Sequence, residues 1–155
     1  MFRVEADSLQ AYLDFDAARK ADLVRLHGLA RKAAPGLKRY LHRGTPPGEP
    51  GMRFKMIGYG KYRYAARSGA MIEWPVVGVA LQKNYISVYM AVTRDGKSLV
   101  SCYAGKLGAL RSGGNNFSFE KLAELNGPIV GSLFTEAAAI FKADKNNPVR
   151  YMQGG

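Results

Sequence analysis

The chain has 155 residues, a formal net charge of +11, a hydrophobic fraction of 47%, one tryptophan and one cysteine. This length and composition fit a single soluble domain over residues 1–155 that can bury roughly two thirds of its unfolded surface. The lone Cys102 excludes an internal disulfide and a paired-cysteine zinc site, and no apolar run approaches the ~18 residues that a membrane helix needs. The first residues lack the charged and then apolar pattern of a leader, so we expect a cytoplasmic protein with no membrane partner.

Two helices are predicted in the N-terminal part of the chain. Asp7-Ser8 can cap a short helix over about 8–14, because aspartate and serine side chains accept hydrogen bonds from exposed helix N–H groups. A longer helix begins near Asp16, carries apolar residues at helical spacing and ends at Pro35-Gly36. The proline- and glycine-rich residues 44–51 that follow predict a loop.

The middle of the chain alternates with a period of two, which predicts antiparallel strands. We place strands at about 53–58, 61–67, 75–82 and 85–92, with turns at Ser68-Gly69-Ala70 and Lys83-Asn84. The alternation puts Tyr62 and Tyr64 on one face and Lys61 and Arg63 on the other. In the same way it puts Tyr85, Ser87 and Tyr89 on one face, and Ile86, Val88 and Met90 on the opposite one.

The C-terminal part is predicted to be mostly helical. A short helix over 98–106 and a strand over 116–119 precede a helical turn at about 120–126. Pro128 suits the first turn of a closing helix, because a proline there loses no hydrogen bond. The apolar stripe of that helix is formed by Ile129, Leu133, Ala137, Ile140 and Phe141, and we expect Leu133 and Phe141 to be buried against the sheet. Residues 144–155 read as a frayed tail.

Positive charge is concentrated in the middle of the chain. Residues 51–115 carry 10 Lys+Arg against 2 Asp+Glu, whereas residues 1–50 carry 9 against 6 and residues 116–155 carry 4 against 4. Such a potential favours anionic partners and disfavours a carboxylate-built metal site in this segment. The alternative interpretation is a solvated surface whose charge serves solubility.

The reactive side chains form no catalytic pattern. His27 is expected to be a partly buried structural residue on the second helix, and His42 a surface residue beside the loop. Their spacing is not that of a zinc motif, and neither is placed to act as a base for Cys102. We therefore expect a non-enzymatic protein without a cofactor or a metal. Four helix acids stay open as metal contacts, although their positions also suit helix capping: Asp7, Asp14, Asp16 and Asp22.

Two glycine-rich turns are candidate anion sites. Gly105-Lys-Leu-Gly108 and Arg111-Ser-Gly-Gly-Asn-Asn116 place backbone N–H groups beside the cations Lys106 and Arg111. Converging backbone N–H groups bind anions. The alternative is that glycine only supplies a positive φ in ordinary turns.

The order of the parts resembles a known domain family. Paired N-terminal helices are followed by Met56-Ile-Gly-Tyr-Gly60, Tyr62-x-Tyr64, Trp74-Pro-Val-Val-Gly-Val-Ala-Leu81, Ile86-Ser-Val-Tyr89, Gly105-Lys-Leu-Gly108, Gly113 and a short strand before Lys121-Leu122. Over about residues 8–143 this resembles the YdhG-like domain, a bacterial family mostly labelled as being of unknown function. The resemblance implies an α+β fold, an antiparallel sheet of about five strands covered by N- and C-terminal helices. One branch of the family is described as a frataxin-like intracellular iron chaperone.

The chain also departs from the family pattern. Family members usually carry Gly-Lys where Gly113 is here followed by Gly114-Asn115, and the loop at 44–51 looks like an insertion. The iron-handling branch needs clustered carboxylates, because iron as a hard ion prefers oxygen ligands. An iron carrier is therefore the alternative function and not the preferred one.

We predict a domain that binds an anionic small molecule or the acidic surface of a partner across its tyrosine-rich sheet. The predicted ligand-binding residues are Tyr59, Lys61, Tyr62, Arg63, Tyr64, Arg67, Trp74, Tyr85, Tyr89, Lys106 and Arg111. Because Tyr62 and Arg63 point to opposite faces, such a site requires a β-bulge near Gly58 or Gly60, or cations from the turn that begins at Arg111. Binding of single-stranded nucleic acid by stacking is a further alternative, and the sequence does not indicate an oligomeric state.

Overall fold

A computed structural model describes residues 2–44, 54–65, 68–108 and 111–148. The fold is α+β, with an antiparallel sheet of six strands and helices at both the N-terminal and C-terminal ends, which confirms the predicted class. The predicted loop lies outside the described residues except for Gly44, and so does the end of the predicted tail. Within the described part of the chain, no helix combines the length and the apolar character needed to span a membrane.

In the described part of the chain the α-helices are α1 Leu9–Asp14, α2 Lys20–Ala33, α3 Leu99–Tyr103 and α4 Gly127–Ala143. The predicted cap is present, because the Ser8 hydroxyl accepts a hydrogen bond from Ala11 N at 3.0 Å. Asn126 caps α4 in the same way, accepting from Ile129 N at 3.2 Å, and Pro128 occupies its first turn. A single 3₁₀ turn, Leu122–Glu124, stands where the helical turn was predicted.

The strands, in chain order, are β1 Arg39–His42, β2 Met56–Ala65, β3 Met71–Leu81, β4 Ile86–Met90, β5 Thr93–Arg94, β6 Lys97–Ser98, β7 Arg111–Ser112 and β8 Asn116–Phe119. The large sheet has the order β1-β2-β3-β4-β8-β7, and β5 pairs with β6 in a separate small ribbon. The sequence did not predict the short edge strands β1 and β7. It also divided β2 into two strands, whereas the residues from Met56 to Ala65 form one.

The helices cover one face of the sheet and form the main core there. The register aligns Ile57 with Val79 and Val79 with Val88, so these residues share a face, and all three are fully buried. On α4, Leu133 and Phe141 are buried as predicted, and this helix contacts β3. The predicted apolar face of β4 is thus the one beneath the helices.

The opposite face contains a row of cross-strand neighbours with two glycines in its centre. The register places Tyr40 beside Gly58, Gly58 beside Gly78, and Gly78 beside Tyr89. Because a glycine leaves no side chain above the strand, the Tyr40 ring lies directly over Gly58, where an added Cβ would be 2.5 Å from the ring. The sulfur of Met56 fills the space above Gly78 in the same manner.

The long hairpin of β2 and β3 bends sharply and folds back over this second face. Gly60 has a φ of +71°, a conformation that glycine adopts without strain. In the register, His42 pairs with Met56, and Trp74 pairs with Tyr62. Met56 and Tyr62 are six residues apart on β2, a distance of about 20 Å if the strand were straight. The rings of His42 and Trp74 nevertheless lie 5.2 Å apart. The half of the hairpin beyond Gly60, residues 61–65 and 71–75, is called the folded-back hairpin below.

Candidate functional site

The folded-back hairpin carries five of the predicted ligand-binding residues, but it does not offer an open tyrosine face. Trp74 is 9% exposed and Tyr62 is 5% exposed, because the hairpin packs against the sheet. Tyr64 is half-buried, with its ring 6.1 Å from that of Tyr62. The predicted alternation is present, since Lys61 and Arg63 are exposed on the other side.

The two cations of the hairpin already have an anionic neighbour. Glu73 lies 3.5 Å from Lys61 Nζ and 3.8 Å from a terminal nitrogen of Arg63. Lys61 Nζ also lies 4.4 Å from the centre of the Tyr40 ring, in a cation–π contact. An incoming anion would compete with Glu73, so the positive potential of this surface is lower than the sequence count suggests.

Tyr59 is a core residue and cannot stack on a ligand. It is 1% exposed on the helix-covered face of the sheet, and its hydroxyl lies 2.5 Å from Nδ1 of His27 on α2. The sequence placed Tyr59 among the ligand-binding tyrosines because it belongs to the tyrosine-rich run that begins at Met56. The bend at Gly60 separates their surroundings, so that Tyr59 lies beneath the helices while Lys61 lies in the folded-back hairpin.

The remaining predicted residues lie elsewhere on the molecule. Arg111 lies over the Tyr85 ring at 5.0 Å, near the β7 edge, and Tyr89 is half-buried with its ring 5.7 Å from that of Phe54. Lys106 is exposed in the turn after α3, and Arg67 lies outside the described residues. Trp74 contacts His42 on the edge strand β1, whereas Arg111 lies on β7, the opposite edge strand, five strand spacings or about 24 Å away. The structure therefore does not bring the ten described residues into one cleft.

The two histidines are both buried. His27 was expected to be partly buried and is 7% exposed, whereas His42 was expected at the surface and is only 8% exposed. The reason is the bend of the hairpin, which places Trp74 against the His42 ring. Within the described part of the chain, neither His42 Nε2 nor the Tyr40 hydroxyl has a hydrogen-bond partner. Burial is the main cause that lowers the pKa of His42 below its usual value, followed by opposing effects of Glu73, which raises it, and Lys61, which lowers it.

The helix acids have local partners. Asp14 pairs with Lys20 at 2.7 Å, Asp16 pairs with Arg19 at 2.8 Å, and Asp22 accepts a hydrogen bond from Leu122 N at 3.0 Å. Asp7 lies 3.7 Å from Arg43 and 3.6 Å from Lys55. Among the residues that the structure describes, no group of three or more histidine, cysteine or acidic side chains is arranged to hold a metal ion.

A different set of cations lines a cleft between the end of α2 and the start of β1. The cleft has a volume of about 800 Å³ and is lined by Gly28, Arg31, Lys32, Pro35, Gly36, Leu37, Lys38 and Arg39. We call it the cationic cleft. All four of its cations are exposed, and in the part of the chain that is described none of them forms a salt bridge.

Local structure explains why the cleft forms. Pro35-Gly36 ends α2, since proline has no N–H to continue the helix, and the chain then reverses into β1. Leu37 is buried against the bend, so that an added Cβ on Gly60 would lie 2.9 Å from it. The Gly60 amide donates to the Lys38 carbonyl at 2.9 Å, and the Thr135 hydroxyl of α4 donates to the Ala33 carbonyl at 2.9 Å. The cleft thus has two walls, the end of α2 and the segment that enters β1. Hydrogen bonds from α4 and from β2 hold them in place.

The positive charges of the cleft affect the pKa values of two buried neighbours, His27 and Tyr59. Burial, followed by the charges of Arg31 and Arg39, lowers the pKa of His27. The same two arginines oppose the increase that burial causes in the pKa of Tyr59. Arg31 and Arg39 belong to different elements, α2 and β1, and yet both act on these two side chains. Both arginines line the cationic cleft.

Sequence reasoning missed this cleft, although a signal was present. Residues 23–48 contain six cations, Arg25, Arg31, Lys32, Lys38, Arg39 and Arg43, and no Asp or Glu. Averaging the charge over residues 1–50 hid that run, because the acids of this segment lie before and after it. The sequence signal for the cleft is a helix-ending Pro35-Gly36 that has a pair of cations before it, Arg31-Lys32, and another after it, Lys38-Arg39.

Comparisons of the chain with protein-family models, with curated proteins and with solved structures find no match. The resemblance to the YdhG-like domain therefore stays a prediction.

Proposed function

We propose that this protein binds an anionic ligand in the cationic cleft. The observation that carries the proposal is the set of four exposed cations around a concave surface, where none of the described lining residues is acidic. Like charges that are held close together without counter-ions repel each other, and this repulsion is relieved when an anion binds. The hairpin cations, in contrast, are partly neutralised by Glu73.

The proposal keeps the anionic partner predicted from the sequence and moves its site. Anion binding here depends on side chains, because the C-terminal end of a helix carries a partial negative charge that does not attract anions. Arg31 and Lys32 lie in the last turn of α2, where they also offset this charge. Lys38 and Arg39 lie beyond the helix, so stabilisation of the helix end does not account for them.

Two double variants with the same change in net charge test the proposal. Arg31→Gln with Arg39→Gln removes two charges from the cleft, and Lys61→Gln with Arg63→Gln removes two charges from the folded-back hairpin. We expect the cleft variant to bind pyrophosphate or citrate about tenfold more weakly or worse by isothermal titration calorimetry, and the hairpin variant to bind nearly as the parent does. Equal losses in both variants, or a larger loss in the hairpin variant, would overturn the proposed site.

Salt dependence provides a second measurement on the same proteins. If charge dominates binding, affinity falls as ionic strength rises, because exposed charges are screened over about 8 Å at physiological salt. The cleft variant should show a shallower dependence than the parent, since fewer ionic contacts remain. An affinity that does not respond to salt in the parent contradicts a charge-driven site. Circular dichroism on both variants verifies that the fold is retained.

A further inference from the structure

The four cations of the cleft are arranged as two pairs, and the arrangement indicates what kind of anion they accept. Arg31 and Lys32 are neighbours at the end of α2, and Lys38 and Arg39 are neighbours at the start of β1. Pro35-Gly36 lies between the pairs and turns the chain. A ligand in the cleft therefore meets two separate positive walls.

The charge of the two walls matches two phosphate groups. A phosphate monoester carries about −1.5 to −2 charges at neutral pH and offers three strong acceptor oxygens. Two such groups supply about −3 to −4 charges against the four cations of the cleft. Arginine is suited to this task, because its planar fork donates two parallel hydrogen bonds to a phosphate. One arginine is present on each wall.

The size and composition of the cleft favour a small molecule over a nucleic-acid strand. Small-molecule sites commonly enclose about 300–1,000 Å³, a range that includes the volume of about 800 Å³ found here. Proteins that bind single strands stack successive bases on aromatic side chains, whereas none of the described residues that line this cleft is aromatic. Pro35 and Gly28, which are exposed, instead provide uncharged surface for a compact organic group.

We infer that the ligand of the cationic cleft is a small organic molecule that carries a diphosphate or two phosphate groups, such as a nucleoside diphosphate or a sugar bisphosphate. This inference rests on the proposed function and narrows it to one ligand class. Each phosphate lies on one wall of the cleft, and the organic group lies against Pro35.

The two histidines provide an internal probe of occupancy. His27 faces Tyr59 of β2, Arg31 of its own helix and Arg39 of β1, so an anion that neutralises those arginines makes its imidazolium form more favourable. His42 instead responds to Glu73 and Lys61 in the folded-back hairpin. Ligand in the cleft should raise the titration midpoint of His27 and leave that of His42 unchanged.

The experiment titrates the intact protein with inorganic phosphate, pyrophosphate, ADP, citrate and a short single-stranded oligothymidylate, followed by calorimetry and by NMR of the two imidazole rings. We expect pyrophosphate and ADP to bind about tenfold or more tightly than inorganic phosphate, and more tightly than citrate or the oligonucleotide. Binding of pyrophosphate or ADP should raise the pKa of His27 that is measured from its ring signals. The Arg31→Gln, Arg39→Gln variant should lose both the preference for diphosphates and the change in the His27 pKa.

The outcomes separate the ligand class from the proposed function. If citrate or the oligonucleotide binds most tightly and still requires Arg31 and Arg39, the cleft is an anion site and the diphosphate inference is wrong. If a diphosphate binds, and neither the His27 signals nor the cleft variant responds, the ligand lies elsewhere and both proposals fail. Binding of a diphosphate no tighter than phosphate also overturns the two-wall arrangement.

Discussion

The ring of His42 on β1 lies 5.2 Å from the ring of Trp74 on β3, with a strand between them in the sheet order and an angle of 74° between the ring planes. This edge-to-face contact exists because the hairpin bends at Gly60 and returns over the face that the helices leave uncovered. Edge-to-face aromatic pairs contribute about 0.5–1.5 kcal/mol beyond their buried area. The hairpin is therefore a packed layer of the fold.

Truncation of Trp74 tests that packing. Trp74→Ala should lower the free energy of unfolding by about 3–5 kcal/mol, since it removes a large buried side chain from between the hairpin and the sheet. Met71→Ala on the same strand is the control, because Met71 is 61% exposed and should cost only a few tenths of a kcal/mol. Urea denaturation measures both. Similar small losses for the two variants would mean that the hairpin does not pack on the sheet.

Replacement of Gly60 tests the bend itself. Gly60→Ala should destabilise the protein by about 1–3 kcal/mol, because its φ of +71° disfavours any side chain and the new Cβ would lie 2.9 Å from Leu37. Gly28→Ala is the matched substitution, since an added Cβ at this exposed helical position meets nothing within 4 Å. It should raise stability by about 0.5–1 kcal/mol. Thermal unfolding distinguishes the opposite signs, and a neutral Gly60→Ala would contradict the bend.

The closing helix provides a test of the helix-covered core. Leu133→Ala should cost about 2–5 kcal/mol, because Leu133 has no exposed surface and its removal leaves a cavity. Lys142→Ala, an exposed position on the same helix, should change stability by less than about 0.5 kcal/mol. Chemical denaturation gives the two values. A surface-like effect at Leu133 would show that α4 is not docked on the sheet.

The buried histidines predict a loss of stability in mild acid. Burial lowers the pKa of His27 and of His42 in the folded state below the usual value of 6.5, so the unfolded chain binds protons first as the pH falls. Stability is then fully present above the ordinary histidine value and decreases below it. Urea denaturation at about pH 7.5 and pH 5.5 should show this decrease. His27→Gln should reduce the difference between the two pH values, and an unchanged or higher stability in acid would contradict the prediction.

Sequence reasoning succeeded where local patterns decide the structure. Period-two alternation placed Ile86, Val88 and Met90 together on the apolar face of β4, and helical spacing together with Pro128 identified α4 and its buried Leu133. The cap at Ser8 follows from a single side chain and its nearest N–H group. Each of these features depends on residues that are close in the chain.

The remainder depends on long-range packing. Alternation placed Lys61 and Tyr62 on opposite faces correctly, but the bend at Gly60 decides what each face meets, and glycine alone does not reveal the angle. His42 is buried by Trp74, a residue 32 positions later, so its place beside the loop was a misleading guide. The cleft was missed because its cations lie before and after the end of α2. They line one cleft only when the folded chain brings the end of α2 and the start of β1 together.

The hydrogen bond from the Gly60 amide to the Lys38 carbonyl, 2.9 Å long, joins the bend to a wall of the cationic cleft. Lys38 lies between Leu37, which is anchored in the core, and Arg39, the first residue of β1. The bend of the hairpin and this wall of the cleft are therefore held by the same hydrogen bond. A displacement of the hairpin would strain the segment that carries Lys38 and Arg39. Faster hydrogen exchange at the Gly60 amide would report that the hairpin has separated from the Lys38 segment of the cationic cleft.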